Sequence, residues 1–221
     1  MSKPVVIFGL SDIAELAQYY LTEDAGREVA AFTVDGAYIK DADFCERPVV
    51  AFETLENEFP PDRFDMFVAV SYRGINAFRA EKCAASRDKG YALASYVSSR
   101  CTMLTKHPVG DNCFILENNT IQPFVRIGNN VTLWSGNHIG HHSTVEDDVF
   151  IASHVVVSGG VTVGRRSFIG VNATLRDHIK IGTACVIGAG AVILADTGDN
   201  AVFGASSTAK SPVPSTKLRS I

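Results

Sequence analysis

The chain has 221 residues, 46% hydrophobic and 20% charged, a balance that lets it bury one large core or two small ones. A formal net charge of −4 sets aside a role dominated by nucleic-acid binding. No apolar run approaches the roughly 18 residues of a membrane-spanning helix. Five cysteines (Cys45, Cys83, Cys101, Cys113, Cys185) without a CxxC spacing exclude a disulfide framework or a Cys-based zinc site and fit a reducing compartment. The start, Met1-Ser2-Lys3-Pro4, has no apolar leader, so a cytoplasmic location is expected.

In chain order, Val5-Val6-Ile7-Phe8-Gly9 predicts a short buried strand. Asp12 and Glu15 have the spacing of a capping box, and Ile13, Leu16, Ala17 and Tyr20 follow at helical spacing. A second strand is predicted over 29–34, ending at Asp35-Gly36, a third over 67–70, a helix near 75–89 and a last strand over 91–97. Strand and helix alternate, which predicts a small parallel, Rossmann-like α/β sheet. The link Gly9-Leu10-Ser11-Asp12 has one glycine rather than GxGxxG. It is either a plain βα turn or a helix N-terminus facing a phosphate or sugar hydroxyl, and Asp12 would repel a phosphate placed directly there. Asp35 either accepts bonds from a ribose or base or serves as a turn residue before Gly36.

From Val109 to Ile193 every sixth residue is Val, Ile or Leu, and Gly follows at 110, 128, 140, 164, 170, 182 and 188. A period of six fits neither a helix nor a simple strand and marks the hexapeptide repeat of a parallel β-helix. Three hexads close a coil of 18 residues, with each anchor pointing inward and Gly or Asn turning the corners through positive φ. Five coils are expected, roughly 24 Å along the axis. The phase change places the domain boundary near 100, giving an α/β domain over 1–100 and a β-helix with a short tail over 101–221. The charge differs as well. Residues 1–100 hold 11 Lys/Arg and 16 Asp/Glu, net −5, and residues 101–221 hold 9 and 8, net +1.

Five of the six histidines lie in the repeat: His138, His141, His142, His154 and His178. His141 stands two after its anchor Ile139, so it points outward or to a corner, where a neutral imidazole can take a proton from an amine or hydroxyl. One coil later stands Gly159, followed by Gly160. These glycines are either a tight corner or main-chain donors to a developing oxyanion. His142 and His178 are 36 apart, two coils on one side, which resembles part of the zinc site of gamma-class carbonic anhydrases. No His-x4-His pair accompanies them, so no metal is expected.

The uninterrupted hexads, the small α/β domain before them and the tail after them resemble the sugar acyltransferase family of sialic-acid O-acetyltransferases and nucleotide-linked amino-sugar N-acetyltransferases. The resemblance covers nearly the whole chain. It implies a left-handed β-helix, a homotrimer, and acetyl-CoA bound along the prism between subunits. A nucleotide-sugar would sit between the α/β domain and a neighbour's β-helix. The family's catalytic histidine, usually flanked by acids, falls on His141, flanked here by Gly140 and His142; a second family histidine falls on Phe150. Glu117, Asn118 or Asn137 is expected to orient His141 in place of the acids. The family's closing Gly-x-Pro-Ala-Lys appears as Gly204 to Lys210, without its proline.

The resemblance therefore implies acetyl transfer from acetyl-CoA to the amine of a nucleotide-linked amino-deoxy sugar for polysaccharide biosynthesis. His141 would act as general base and Gly159 as amide donor. Gly159, Gly160 and Lys210 would contact the cofactor, and Ser11, Asp12, Asp35, His138 and Asn118 the substrate. An O-acetyltransferase is the near alternative, and a metal-binding or non-enzymatic β-helix trimer the distant one. Neither nucleic acid nor membrane is expected as a partner.

Overall fold

The computed structural model describes residues 2–217. Its N-terminal sheet has the order β3-β4-β2-β1-β5, from β1 (Val5–Phe8), β2 (Val29–Val34), β3 (Asp43–Phe44), β4 (Arg47–Ala51) and β5 (Asp65–Val68). All pairings are parallel except the β3–β4 hairpin at one edge. The continuous apolar run of β1 is buried throughout, as a central parallel strand covered on both faces requires. Helix α1 (Asp12–Tyr19) follows β1, and α2 (Ala77–Asp88) follows β5.

Three local expectations change. The N-cap of α1 is Ser11, in extended backbone and without a side-chain cap bond, so Asp12 and Glu15 form no capping box. The hairpin was not anticipated, because its strands are short and Pro48 interrupts the pattern. No sheet strand runs over 91–97; Leu93 makes a single bridge to Met66, and Tyr96–Val97 already belongs to the prism, paired with Phe114–Ile115.

The prism has three flat faces of two-residue parallel strands. The first stacks seven strands from Tyr96–Val97 to Val202–Phe203, the second six from Thr102–Met103 to Val192–Ile193, and the third four from Arg126–Ile127 to Lys180–Ile181. Seven strands at the usual spacing make it about 29 Å long, longer than expected because the stack gains Tyr96–Val97 before the first recognised hexads and Val202–Phe203 after the last. The anchors from Ile115 to Ile193 form one buried column, joined by the small residues four positions on, such as Val131, Val155, Val161 and Ala173. The last coil closes two residues early, since Val202 pairs with Val186. There, side chains take over the ladder of the third face: Asp196, Thr197 and Asp199 accept from the main-chain N–H of Lys180, Gly182 and Thr183.

The corners correct the reading of the glycines. Left-handed backbone recurs at every sixth residue from Asn112 to Gly190, three after each anchor, and the glycines directly after the anchors are not left-handed. Those glycines serve close packing instead. A Cβ on Gly110 would fall 2.4 Å from the main-chain oxygen of Gly128, and one on Gly140 2.6 Å from the nitrogen of Gly159. Eight of these positions hold Asn112, Asn118, Asn130, Asn172, Asp148, His142, His154 and His178, the non-glycine types that tolerate this region best; the others hold Gly136, Gly160 and Gly190 and, against that preference, Phe124, Arg166 and Ala184. Backbone geometry thus accounts for three of the histidines in the repeat.

The α/β domain sits on the first face. Phe114 and Phe150 point outward from that face yet are buried, with Phe150 stacked on Phe168 and Tyr72 packed against both rings. Phe150, the position of the family's second histidine, is thus part of the joint between domains. Arg79 of α2 is fully buried in the same joint. Its guanidinium donates to Thr132 Oγ1 (2.8 Å) and to the carbonyls of Asn130 (3.0 Å) and Val149 (3.2 Å). Burial lowers its pKa to about 10, so it stays charged at neutral pH. Asn112 completes the joint by pairing with both main-chain groups of Val68 while donating to Asn130, which donates in turn to Asp148.

Candidate active site

The corner between the second and third faces carries the titratable chemistry. His141 leaves the strand His138–Ile139 on an exposed turn, its main-chain N–H held by Gln122 Oε1 of the coil below at 2.8 Å. Glu146 holds the N–H of Arg165 in the same way, so the device belongs to the repeat. At Gly159, one coil after His141, the device is missing: the residue below is Gly140, which has no side chain. Among the described residues the Gly159 N–H therefore has no acceptor. The His141 ring lies against this glycine, where a Cβ would fall 2.6 Å from Cε1 and 2.7 Å from Nε2. An imidazole and a free main-chain donor thus share one open corner, an arrangement able to take a proton and to bind a developing negative charge.

His141 is not oriented by the residues anticipated from the sequence. Glu117 is taken by Tyr20 Oη (2.9 Å) and Ser135 Oγ (2.7 Å), and these bonds outweigh its partial burial to hold its pKa low. Asn137 is buried in a ladder, where it accepts from the Val155 N–H. Asn118 is an exposed left-handed residue at the corner between the first and second faces. The partner of His141 is His142, with the two Nδ1 atoms 3.1 Å apart. His138, on the flat second face, pairs in the ladder with Thr120 and Val156. Gly160, beside Gly159, receives the His178 ring, a Cβ there falling 2.4 Å from its Nδ1. Among the described residues no group of three or more His, Cys, Asp or Glu is placed to hold a metal ion.

The α/β domain presents a second concavity of about 270 Å3 at the carboxyl ends of β1, β2 and β5, lined by Ser11, Asp35, Tyr38, Arg73 and Phe78 among others. This is where open α/β sheets bind ligands. Asp35 is gripped by Lys82 Nζ at 2.7 and 2.9 Å, and that ammonium lies 5.3–5.6 Å from the centres of the Phe8, Phe78 and Phe52 rings. Lys82, Tyr38 and Arg73 were not singled out in the sequence; Lys82 lies on the buried side of a helix whose contacts only the fold reveals. Asp12 does not line the concavity. Lys210 lies in the exposed stretch 204–217, and a shallow cleft of about 350 Å3 beside the last coil is lined by Gly190, Ile193, Phe203 and Gly204 among others. Arg219 lies outside the described residues.

Residues 109–195 match, in four overlapping spans, the family described as bacterial transferase hexapeptide (six repeats). No curated protein matches the chain in sequence. The acetyltransferase domain of PglB from Neisseria gonorrhoeae FA1090 superposes with a TM-score of 0.81 at 21% identity, over 92% of this chain and 97% of that one. PerB from Caulobacter crescentus, solved with CoA and GDP-perosamine, superposes at 0.80 and 24% identity over 93% and 95%. A variant of the Caulobacter crescentus perosamine N-acetyltransferase with a histidine changed to asparagine, carrying the same two ligands, gives 0.81 and 23% over 93% and 95%. Residues 109–195 are thus similar to the bacterial transferase hexapeptide family, in a chain that shares the fold of these acetyltransferases from its α/β domain to its last coil.

Proposed function

We propose that the protein transfers acetyl from acetyl-CoA to the amino group of a nucleotide-linked amino-deoxy sugar, with His141 as general base. The observation that carries the reading is the His141–Gly159 corner: an exposed imidazole beside a main-chain N–H that has no acceptor among the described residues. In the reaction the neutral sugar amine attacks the thioester carbonyl. His141 Nε2 takes the proton that the nitrogen sheds, and the Gly159 N–H faces the oxyanion. Collapse of the adduct breaks the C–S bond, and the proton passes to the departing CoA sulfur. The likeness in fold to PerB, solved with CoA and GDP-perosamine, supports this choice of substrates. The concavity holding Ser11 and Asp35 is the place for the nucleotide part. A thermal-shift screen of UDP-, GDP- and dTDP-linked amino-sugars, with and without CoA, tests the reading, because the true substrate stabilises the fold most by mass action. Stabilisation by none of them counts against it.

The working unit in this proposal is a homotrimer, because the His141 corner is open to solvent and a neighbour's prism closes it over acetyl-CoA. Sedimentation should give a trimer at micromolar concentration, and an active monomer contradicts the proposal.

In this proposal the adenosine end of CoA lies near the cleft beside the last coil. Its pyrophosphate and 3′-phosphate would meet Lys210 and Lys217, the cations of the exposed stretch. Deleting residues 211–221 should therefore weaken acetyl-CoA binding more than nucleotide-sugar binding. The loss should shrink with salt, as screening over about 10 Å at 0.1 M dictates. Calorimetric titration at two salt concentrations checks this, and equal affinity of the truncated and intact proteins at low salt removes the tail from the site.

A further inference from the structure

Two imidazoles meet nitrogen to nitrogen beside Gly159, with no acid between them. His141 and His142 approach through their Nδ1 atoms at 3.1 Å, with ring planes 84° apart. Among the described residues no carboxylate bonds either ring. His142 is itself fixed on three sides. Its backbone is left-handed (φ 59°), its N–H donates to the Pro123 carbonyl at 3.2 Å, and its ring lies against Phe124, tilted by 33° with 4.6 Å between centres. An Nδ1–Nδ1 contact of this length requires one nitrogen to carry a proton and the other a lone pair. The pair therefore has two neutral forms. With the proton on His141 Nδ1, the His141 Nε2 lone pair is free and the ring can act as a base. With the proton on His142 Nδ1, His141 carries its own proton on Nε2 and cannot.

We propose that His142 is a positioning residue for His141: its Nδ1 accepts the Nδ1–H of His141 and so holds that ring in the tautomer whose Nε2 is the base. The proposal rests on the reading of His141 as general base. When His141 takes a proton at Nε2, the bond to His142 becomes charge-assisted and strengthens as the reaction proceeds. A neutral imidazole braced by an aromatic ring then does what an acid does in a histidine–carboxylate pair, without bringing a negative charge to the corner.

Two replacements keep the backbone intact, because both residue types already occupy the same left-handed position of other hexads: Gly at 136, 160 and 190, and Asn at 112, 118, 130 and 172. His142→Gly removes the acceptor. It should lower kcat by roughly 10–100-fold, as loss of orientation does, while leaving the KM for acetyl-CoA within about twofold. His142→Asn places Oδ1 near the vacated Nδ1 and should restore most of the rate. Long-range proton–nitrogen NMR of the imidazoles should find His141 protonated on Nδ1 in the wild type and as a mixture of tautomers in His142→Gly, with no substrate needed. A wild-type kcat in His142→Gly, or a wild-type His141 protonated on Nε2, overturns the proposal. The parent reading fails separately: a fully active His141→Asn removes His141 as the base, whatever the tautomer measured.

Discussion

His141→Asn is expected to lower turnover by roughly 10²–10⁴-fold, the range lost with a general base, while the protein folds and binds acetyl-CoA as before. The side chain is exposed and belongs to no core cluster, and the bond from Gln122 reaches its main-chain N–H rather than its ring. Asn keeps a polar group of similar reach but cannot take the proton at neutral pH. CoA-thiol release and a melting curve on the same preparation separate lost chemistry from lost folding. His138 supplies the control. It lies on the flat face of the same coil, and its ring is not the one beside Gly159. If His138→Ala is inactive while His141→Asn keeps its full rate, the base has been assigned to the wrong residue.

The largest expected effect on stability comes from Arg79. Arg79→Ala should cost about 3–5 kcal/mol, because truncation leaves the polar groups facing the guanidinium without a partner in a buried space. Thr132 Oγ1 and the Asn130 carbonyl lose their donor, and Phe150 loses the cation above its ring at 5.7 Å. Since Arg79 belongs to the α/β domain and its partners to the β-helix, the damage falls on the joint. Denaturant unfolding followed by the lone Trp134, which lies near Phe150, should show a lower midpoint. A midpoint shift worth under 1 kcal/mol would mean that the aromatic contacts around Tyr72 hold the joint by themselves.

The repeat was the most legible feature of the sequence, because each anchor obeys one rule of position and the ladder copies it coil after coil. The phase also ran back to Val97, which read as the end of the preceding domain's last strand, and to Met103, which lay past the boundary but before the first recognised anchor, Val109. The anchor glycines were misread because sequence shows a small residue without showing whether torsion or crowding demands it; Gly140 is crowded by Gly159, and His142 carries the torsion instead. Adding 18 to a residue number located Gly159 beside His141. It could not reveal the His141–His142 contact, which depends on side-chain direction. The Lys82–Asp35 and Arg79–Thr132 bonds join residues 47 and 53 apart in the chain, across elements that no local pattern relates.

Incubation of the protein with acetyl-CoA and a panel of nucleotide-linked amino-sugars, followed by thiol titration and mass spectrometry of the product, tests the central claim most directly. The account predicts that thiol release requires an amino-sugar nucleotide, matches the acetylated product mole for mole, and leaves an alkali-stable amide. It also predicts that His141→Asn abolishes nearly all of that release. Thiol release that yields an alkali-labile ester, or no release with any amino-sugar nucleotide from a folded trimer, would contradict it.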